Sequence, residues 1–340
     1  MPGGQAQTIH SALWARTHVL PDPVWCRQRW DTPDQDFIDV DWLAQVQHAV
    51  RGDRARERAA SEDHTPFGTA ENTRQASNVL CVLFHGLEGS SRSHYARAWG
   101  DQARHWGWRL AVPHFRGCSG ETNRAPRAYH SGDFEEIGWI LQRMKSQHVG
   151  RVLAVGVSLG GNALMRWAQE AGETARHLVD AVASVGSPLD LTASGHAIGR
   201  GFNRWVYTPM FLRTMKPRAL AKLAQYPGLF DREALLQARD LYEFDDLFTA
   251  PLHGFAGVDD YWRRASSAPH FHRVRVPALV INALNDPFVP ASSLPGLQEV
   301  GDPVTMWRPA QGGHVGFAEG RFPGDVRGLP RAIGEWFQAL

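Results

Sequence analysis

Ser158, Asp286 and His314 lie far apart in the chain but are the residue types that turn a weak hydroxyl into a nucleophile. A serine hydroxyl keeps its proton at neutral pH. It attacks a carbonyl only when an imidazole takes that proton and a carboxylate orients the imidazole. Ser158 stands in Gly156-Val157-Ser158-Leu159-Gly160, at the end of an apolar run over 153–157. A strand that turns sharply into a helix would hold the serine in a strained backbone conformation and project its Oγ. Side chains two residues to either side would collide, which explains the glycines. The helix that follows, predicted over 162–169, aims free N–H groups at the same point and favours an oxyanion. The five-residue pattern is weak by itself and gains weight from its place between strand and helix.

The partners come later in the chain. Asp286 follows the strand-like PALVINAL (277–284), and His314, in Gly312-Gly313-His314-Val315-Gly316, follows PVTMWRP (303–309). Glycines there let a loop bring the imidazole over the serine. Asp190, just after a strand ending at Gly186, is the weaker candidate for the acid. Two N–H donors are needed for the oxyanion. Leu159 supplies one, and Leu87 in His85-Gly86-Leu87-Glu88-Gly89 is the expected second. His85 is read as holding that loop by hydrogen bonds. Arg116 is read as bracing the loops by pairing with an acid such as Glu88. Cys118 lacks an elbow before it and is a poor rival nucleophile.

These residues need a sheet to carry them. VLCVLFHG (79–86), RLAVPHF (109–115), RVLAVGVS (151–158), VDAVASVG (179–186), PALVINAL and PVTMWRP are mostly continuous apolar runs, as in strands covered on both faces. Helix-length segments between them predict an α/β fold with a mostly parallel central sheet flanked by helices. PDQDFIDVDWL (33–43) alternates polar and apolar residues and suggests an early antiparallel strand. Residues 51–78 are polar and read as a solvated connection. The rhythm breaks over 187–270, where aromatic and basic segments have helical character. That stretch is expected to be a cap inserted into a core formed by 1–186 and 271–340.

Of 340 residues, 43% are apolar, enough for a large core. Thirty-six Lys and Arg against 35 Asp and Glu give a net charge of +1, so no nucleic-acid partner is expected. Three scattered cysteines, Cys26, Cys81 and Cys118, suit neither a disulfide framework nor a zinc site and fit a reducing compartment. No signal peptide is visible at the N-terminus, and the longest strongly apolar stretch, 79–84, is too short for a membrane span. The expected location is cytoplasmic, with no cofactor and no metal. Trp205, Val206, Tyr207, Met210, Phe211 and Leu212 are read first as packing residues and second as a lipid-facing group.

HGLEGSSRSHY (85–95), FRGCSGE (115–121), GVSLGGN (156–162), INALNDPFVP (281–290) and GGHVGF (312–317) together resemble the α/β-hydrolase superfamily, specifically its AB hydrolase 4 (YheT-like) family. AQTI (6–9), DFIDVDW (36–42), YHSGDFEEI (129–137), GSPLDL (186–191) and FDDLFTAPLHGF (244–255) extend the resemblance over nearly the whole chain. It places nucleophile, acid and base on Ser158, Asp286 and His314, and it implies carboxylester hydrolysis or acyl transfer to alcohols. His114 and Asn285 depart from residues common in similar proteins. His114 is expected at the pocket rim, and Asn285 leaves Asp286 as the acid.

The resulting expectation is a serine carboxylesterase acting through an acyl-enzyme on a small apolar ester of short- to medium-chain acyl length. An acyltransferase with the same acyl-enzyme is the alternative. A non-enzymatic small-ligand receptor on the same fold is the alternative of another class.

Overall fold

The computed structural model describes residues 3–19, 21–44, 78–296 and 298–340; the polar stretch read as a solvated connection lies, apart from Asn78, outside them. Eight strands form one sheet in the order β1-β2-β4-β3-β5-β6-β7-β8. They are β1 (Trp25–Asp31), β2 (Phe37–Leu43), β3 (Val79–Phe84), β4 (Arg109–Pro113), β5 (Arg151–Val157), β6 (Ala181–Val185), β7 (Ala278–Ile281) and β8 (Val304–Trp307). β1 and β2 pair antiparallel, as do β2 and β4. From β4 to β8 all pairs are parallel. Every strand from β3 to β8 therefore ends at one edge of the sheet, where the loops that follow can meet.

The helices begin with α1 (Gly4–Leu13), α2 (His94–Trp106), α3 (Phe134–Ser146) and α4 (Leu159–Ala171). Between β6 and β7 follow α5 (Leu191–Ile198), α6 (Gly201–Gln225), α7 (Arg232–Gln237), α8 (Leu241–Phe244), a π-helical turn Asp245–Thr249, α9 (Ala250–Leu252) and α10 (Val258–Ala265). α11 (Gly328–Gln338) closes the chain. The apolar runs bury both faces of the sheet. Leu80, Val82, Phe84, Val152 and Ala154 pack with α3 and α4 on one side. Leu83, Val155, Val157 and Ile281 pack with α2 and α11 on the other. The described helices include none long and apolar enough to cross a membrane.

The early antiparallel strand read in 33–43 is β2, and despite the polar–apolar alternation Phe37, Ile38, Asp39, Val40 and Asp41 are all buried. Their carboxylates tolerate this because Arg29 donates to Asp39 at 2.8 and 2.9 Å and Arg27 to Asp41 at 2.7 and 3.0 Å. The helix predicted from residue 162 begins three residues earlier, at Leu159, directly after the serine.

Candidate active site

β5 delivers Ser158 to the sheet edge at φ 53° and ψ −120°, a conformation unfavourable for a residue with a Cβ. The flanking residues must be glycine for reasons of space. A Cβ on Gly156 would sit 2.5 Å from the Gly160 carbonyl oxygen, and one on Gly160 would sit 2.4 Å from the His85 carbonyl oxygen. The turn therefore closes only without side chains at those two places.

The loops after β7 and β8 bring the two predicted partners to this serine. The Ser158 hydroxyl donates to His314 Nε2 at 3.0 Å, and His314 Nδ1–H donates to Asp286 Oδ2 at 2.9 Å. The other oxygen of Asp286 accepts from the N–H groups of Phe288 (2.8 Å) and Val289 (3.2 Å), which fixes the carboxylate. Phe288 packs on the imidazole with ring centroids 4.5 Å apart, and Tyr207 packs edge-on against Phe288 at 4.6 Å. Burial, with a smaller push from the Asp286 charge, raises the Tyr207 hydroxyl to about 12, so it stays neutral beside the carboxylate.

Leu159 is the first residue of α4, so its N–H has no acceptor within the helix. In the loop after β3, the Gly86 N–H donates to Tyr95 Oη (2.9 Å) and the Glu88 N–H to Tyr129 Oη (3.0 Å). Gly89 N–H is held by the Gly86 carbonyl. Leu87 N–H lies between these and has no acceptor among the described residues. The loop presses close to the serine, since a Cβ on Gly86 would come within 3.1 Å of Ser158 Cβ. His85 is fully buried; its Nδ1–H donates to the Gly86 carbonyl (2.8 Å) and its Nε2 accepts from Phe115 N–H (3.1 Å). Burial pushes its pKa down to about 3, with a smaller contribution from His114. It is a neutral brace for the loop.

The other candidates are placed elsewhere. Asp190 caps α5, accepting from Ala193 N–H at 3.0 Å. Cys118 is buried, and burial raises its thiol to about 12. Arg116 does not pair with Glu88. Its guanidinium binds Asp34, Asp36 and Glu136 at 2.8, 2.7 and 2.5 Å, while Glu88 pairs with Arg218 at 3.2 Å. His114 is not at the pocket rim; it is buried and donates from Nε2 to Asp41 at 2.8 Å.

Sequence reasoning missed α1 as part of the site. Thr8 Oγ1 accepts the His314 backbone N–H (2.8 Å), and Gln7 Oε1 accepts those of Gly312 and the Asn285 amide (both 2.9 Å). Asn285 Oδ1 in turn accepts the Gly313 N–H at 3.0 Å. Gly313 has φ +60°, and a Cβ there would strike α1 at Gly4 and Thr8, 2.8 Å away. The glycine pair before His314 and the asparagine before Asp286 were the visible signals; their partner, a ten-residue helix 278 to 306 positions away, was not.

A cavity of about 160 Å³ opens onto Ser158 and His314. Leu87 and Phe288 line it from the core; Phe211, Met215, Phe244 and Phe248 line it from the helices between β6 and β7.

This sheet order, the strained serine turn and the hydrogen-bonded Ser–His–Asp set are those of an α/β hydrolase. The chain matches the family model described as "alpha/beta hydrolase fold" over residues 80–321, and it belongs to that family. It is 36% identical to the "Putative esterase YheT" of Escherichia coli strain K12, over 97% of this chain and 88% of that protein, and is YheT-like. It is 29% identical to "Phospholipase ABHD3" of Mus musculus, over 76% of this chain and 63% of that one. Among solved structures, the "Alpha/beta hydrolase domain-containing protein 10 from mouse" superposes with a TM-score of 0.52 at 13% identity. That superposition covers 92% of this chain and 99% of the mouse protein, and it speaks for the fold.

Proposed function

We propose that the chain is a serine carboxylesterase in which Ser158 is the nucleophile, His314 the base and Asp286 the orienting acid. The observation that carries this reading is the unbroken path Ser158–His314–Asp286, with contacts of 3.0 and 2.9 Å opening onto an apolar cavity. The Ser158 Oγ adds to the ester carbonyl as its proton passes to His314 Nε2. The imidazolium is steadied by Asp286, and the oxyanion is held by the N–H groups of Leu87 and Leu159. His314 then protonates the departing alcohol. Water, deprotonated by His314, releases the acid and restores the serine.

Residues 187–270 act in this reading as a cap that supplies the apolar cavity wall. A cavity near 150 Å³ accommodates a benzene-sized group, which suits a short- to medium-chain acyl group. The names of the relatives, esterase and phospholipase, agree with ester hydrolysis. Cys26, Cys81 and Cys118 are free thiols, which suits the reducing cytoplasm.

The test is a chain-length series of p-nitrophenyl esters with the wild type and Ser158→Ala. Hydrolysis should be greatest with short to medium chains and should disappear in the variant; hydrolysis surviving in Ser158→Ala refutes the mechanism. Product analysis with added ethanol identifies acyl transfer, since the ethyl ester then replaces the free acid.

A further inference from the structure

We infer that the outward face of α6 docks the protein on an anionic lipid bilayer. Phe202, Trp205, Val206 and Met210 are 51, 80, 39 and 45% exposed. Their spacing of i, i+3, i+4 and i+8 puts them in one stripe along the helix. The opposite face is occupied: Tyr207, Leu212, Met215 and Ala219 are buried, and Phe211, Met215, Arg218 and Lys222 line the cavity that holds Ser158. One helix is thus both a wall of the cavity and an apolar surface. Of the six residues first read as packing side chains, Tyr207, Phe211 and Leu212 turn inward and Trp205, Val206 and Met210 face out.

The charges on α6 choose the partner. Between residues 201 and 225 there are five Lys and Arg and no Asp or Glu; Arg218 and Lys222 line the cavity and Lys216 donates to the Leu236 and Ala238 carbonyls, which leaves Arg204 and Arg213 exposed. Exposed Arg213 continues the apolar stripe, and exposed Arg200 precedes it; neither has an ion pair among the described residues. Arg204, also exposed, lies in electrostatic reach of Glu243, which is already bound to Arg239 at 2.6 Å. A second copy docking through a two-fold axis at the middle of the stripe would set Arg213 of one copy against Arg200 of the other. A bilayer with anionic headgroups instead meets the arginines while Trp205 and Met210 enter the headgroup–acyl boundary.

Co-sedimentation with vesicles tests this, using phosphatidylcholine alone and phosphatidylcholine with a quarter phosphatidylglycerol. The wild type should pellet with the anionic vesicles and be released by 0.5 M salt. Trp205→Ser/Met210→Ser should partition at least tenfold more weakly, and Arg213→Gln about fivefold more weakly. Both variants should keep wild-type hydrolysis of a soluble short ester, which shows that they fold. Ser158→Ala should bind vesicles as the wild type does, so vesicle binding is read independently of the proposed hydrolysis. A wild type that stays in the supernatant, or variants that bind equally well, would overturn the inference. So would a dimer seen by light scattering that Trp205→Ser/Met210→Ser abolishes, which would give the face to a second copy.

Discussion

Two polar clusters lie at the same edge of the sheet and differ in how completely their groups are paired. Around β2 and β4, Arg116 spends its guanidinium on Asp34, Asp36 and Glu136, and Arg127 binds Asp133 at 2.5 Å. Asp36 also accepts from Asn123 (2.7 Å) and from the N–H groups of Phe37, Arg124 and Ala125. Burial alone would raise its pKa, but these donors outweigh burial and hold it at about 2. Around β5, β7 and β8, the Ser158–His314–Asp286 set is pinned at its carboxylate end and open to the cavity at its hydroxyl end. Both clusters are built around buried carboxylates, Asp36 and Glu136 in the first and Asp286 in the second. Near-complete pairing makes the first a structural clamp, whereas the open end of the second leaves a group free to react.

The contrast is most sharply tested by removing one member of each cluster. Ser158→Ala should lower kcat on p-nitrophenyl butyrate by about 10⁴-fold or more, and Asp286→Asn by about 10⁴-fold, with thermal unfolding little changed. Arg116→Met should do the reverse. It strands the buried carboxylates of Asp36 and Glu136 and should cost about 3–5 kcal/mol in urea unfolding, while kcat per folded molecule changes by less than about tenfold. If Arg116→Met proved as inactive as Ser158→Ala yet equally stable, the division between clamp and reactive set would be wrong.

Smaller effects are expected where the two functions meet. Thr8→Val removes the acceptor for the His314 backbone N–H and should lower kcat about tenfold with KM nearly unchanged; Thr8→Ser should restore it. An equal fall in kcat for Thr8→Ser would place the effect in α1 packing rather than in the hydrogen bond.

His85 lies between the clusters, its ring 5.8 Å from that of His114. Its folded pKa of about 3 is below the ordinary 6.5, so below pH 6.5 the unfolded chain binds a proton that the folded chain does not. Stability from this group is complete above pH 6.5 and declines as pH falls toward 3, by about 1.4 kcal/mol per pH unit. His85→Gln can preserve both hydrogen bonds without titrating. Urea unfolding between pH 6 and 5 should therefore fall less steeply in that variant than in the wild type, and identical slopes would remove His85 from the account.

Strands β3 to β7 could be read from the sequence because each is buried on both faces and so is written as an unbroken apolar run, whereas β8 (VTMW) is an edge strand with Thr305 and Trp307 exposed. β1 could not, because WCRQRWD is an edge strand with mostly exposed residues and carries no such run. Arg116 was assigned the wrong acid because Glu88 lay in a loop already under suspicion. Its actual partners come from the turn before β2 and from α3, which only the antiparallel β2–β4 pairing brings near. Asn285 looked like a loss of charge beside Asp286. In the folded chain an amide is what the place requires, because it donates to Gln7 and Gln311 while accepting from Gly313.

What the sequence determined by itself was local: an apolar strand, a serine between glycines with no room for side chains, and the order in which acid and base follow. Those features depend on neighbours a few residues away. Tertiary structure decided what depends on residues far apart in the chain: that α1 seats the imidazole loop, that Arg116 is locked to the turn before β2 and to α3, and that α6 turns Trp205 outward and Phe211 inward. Hydrogen bonds and ion pairs form between whichever groups the packed elements bring within about 3 Å. Position along the chain does not encode that proximity until the sheet has assembled.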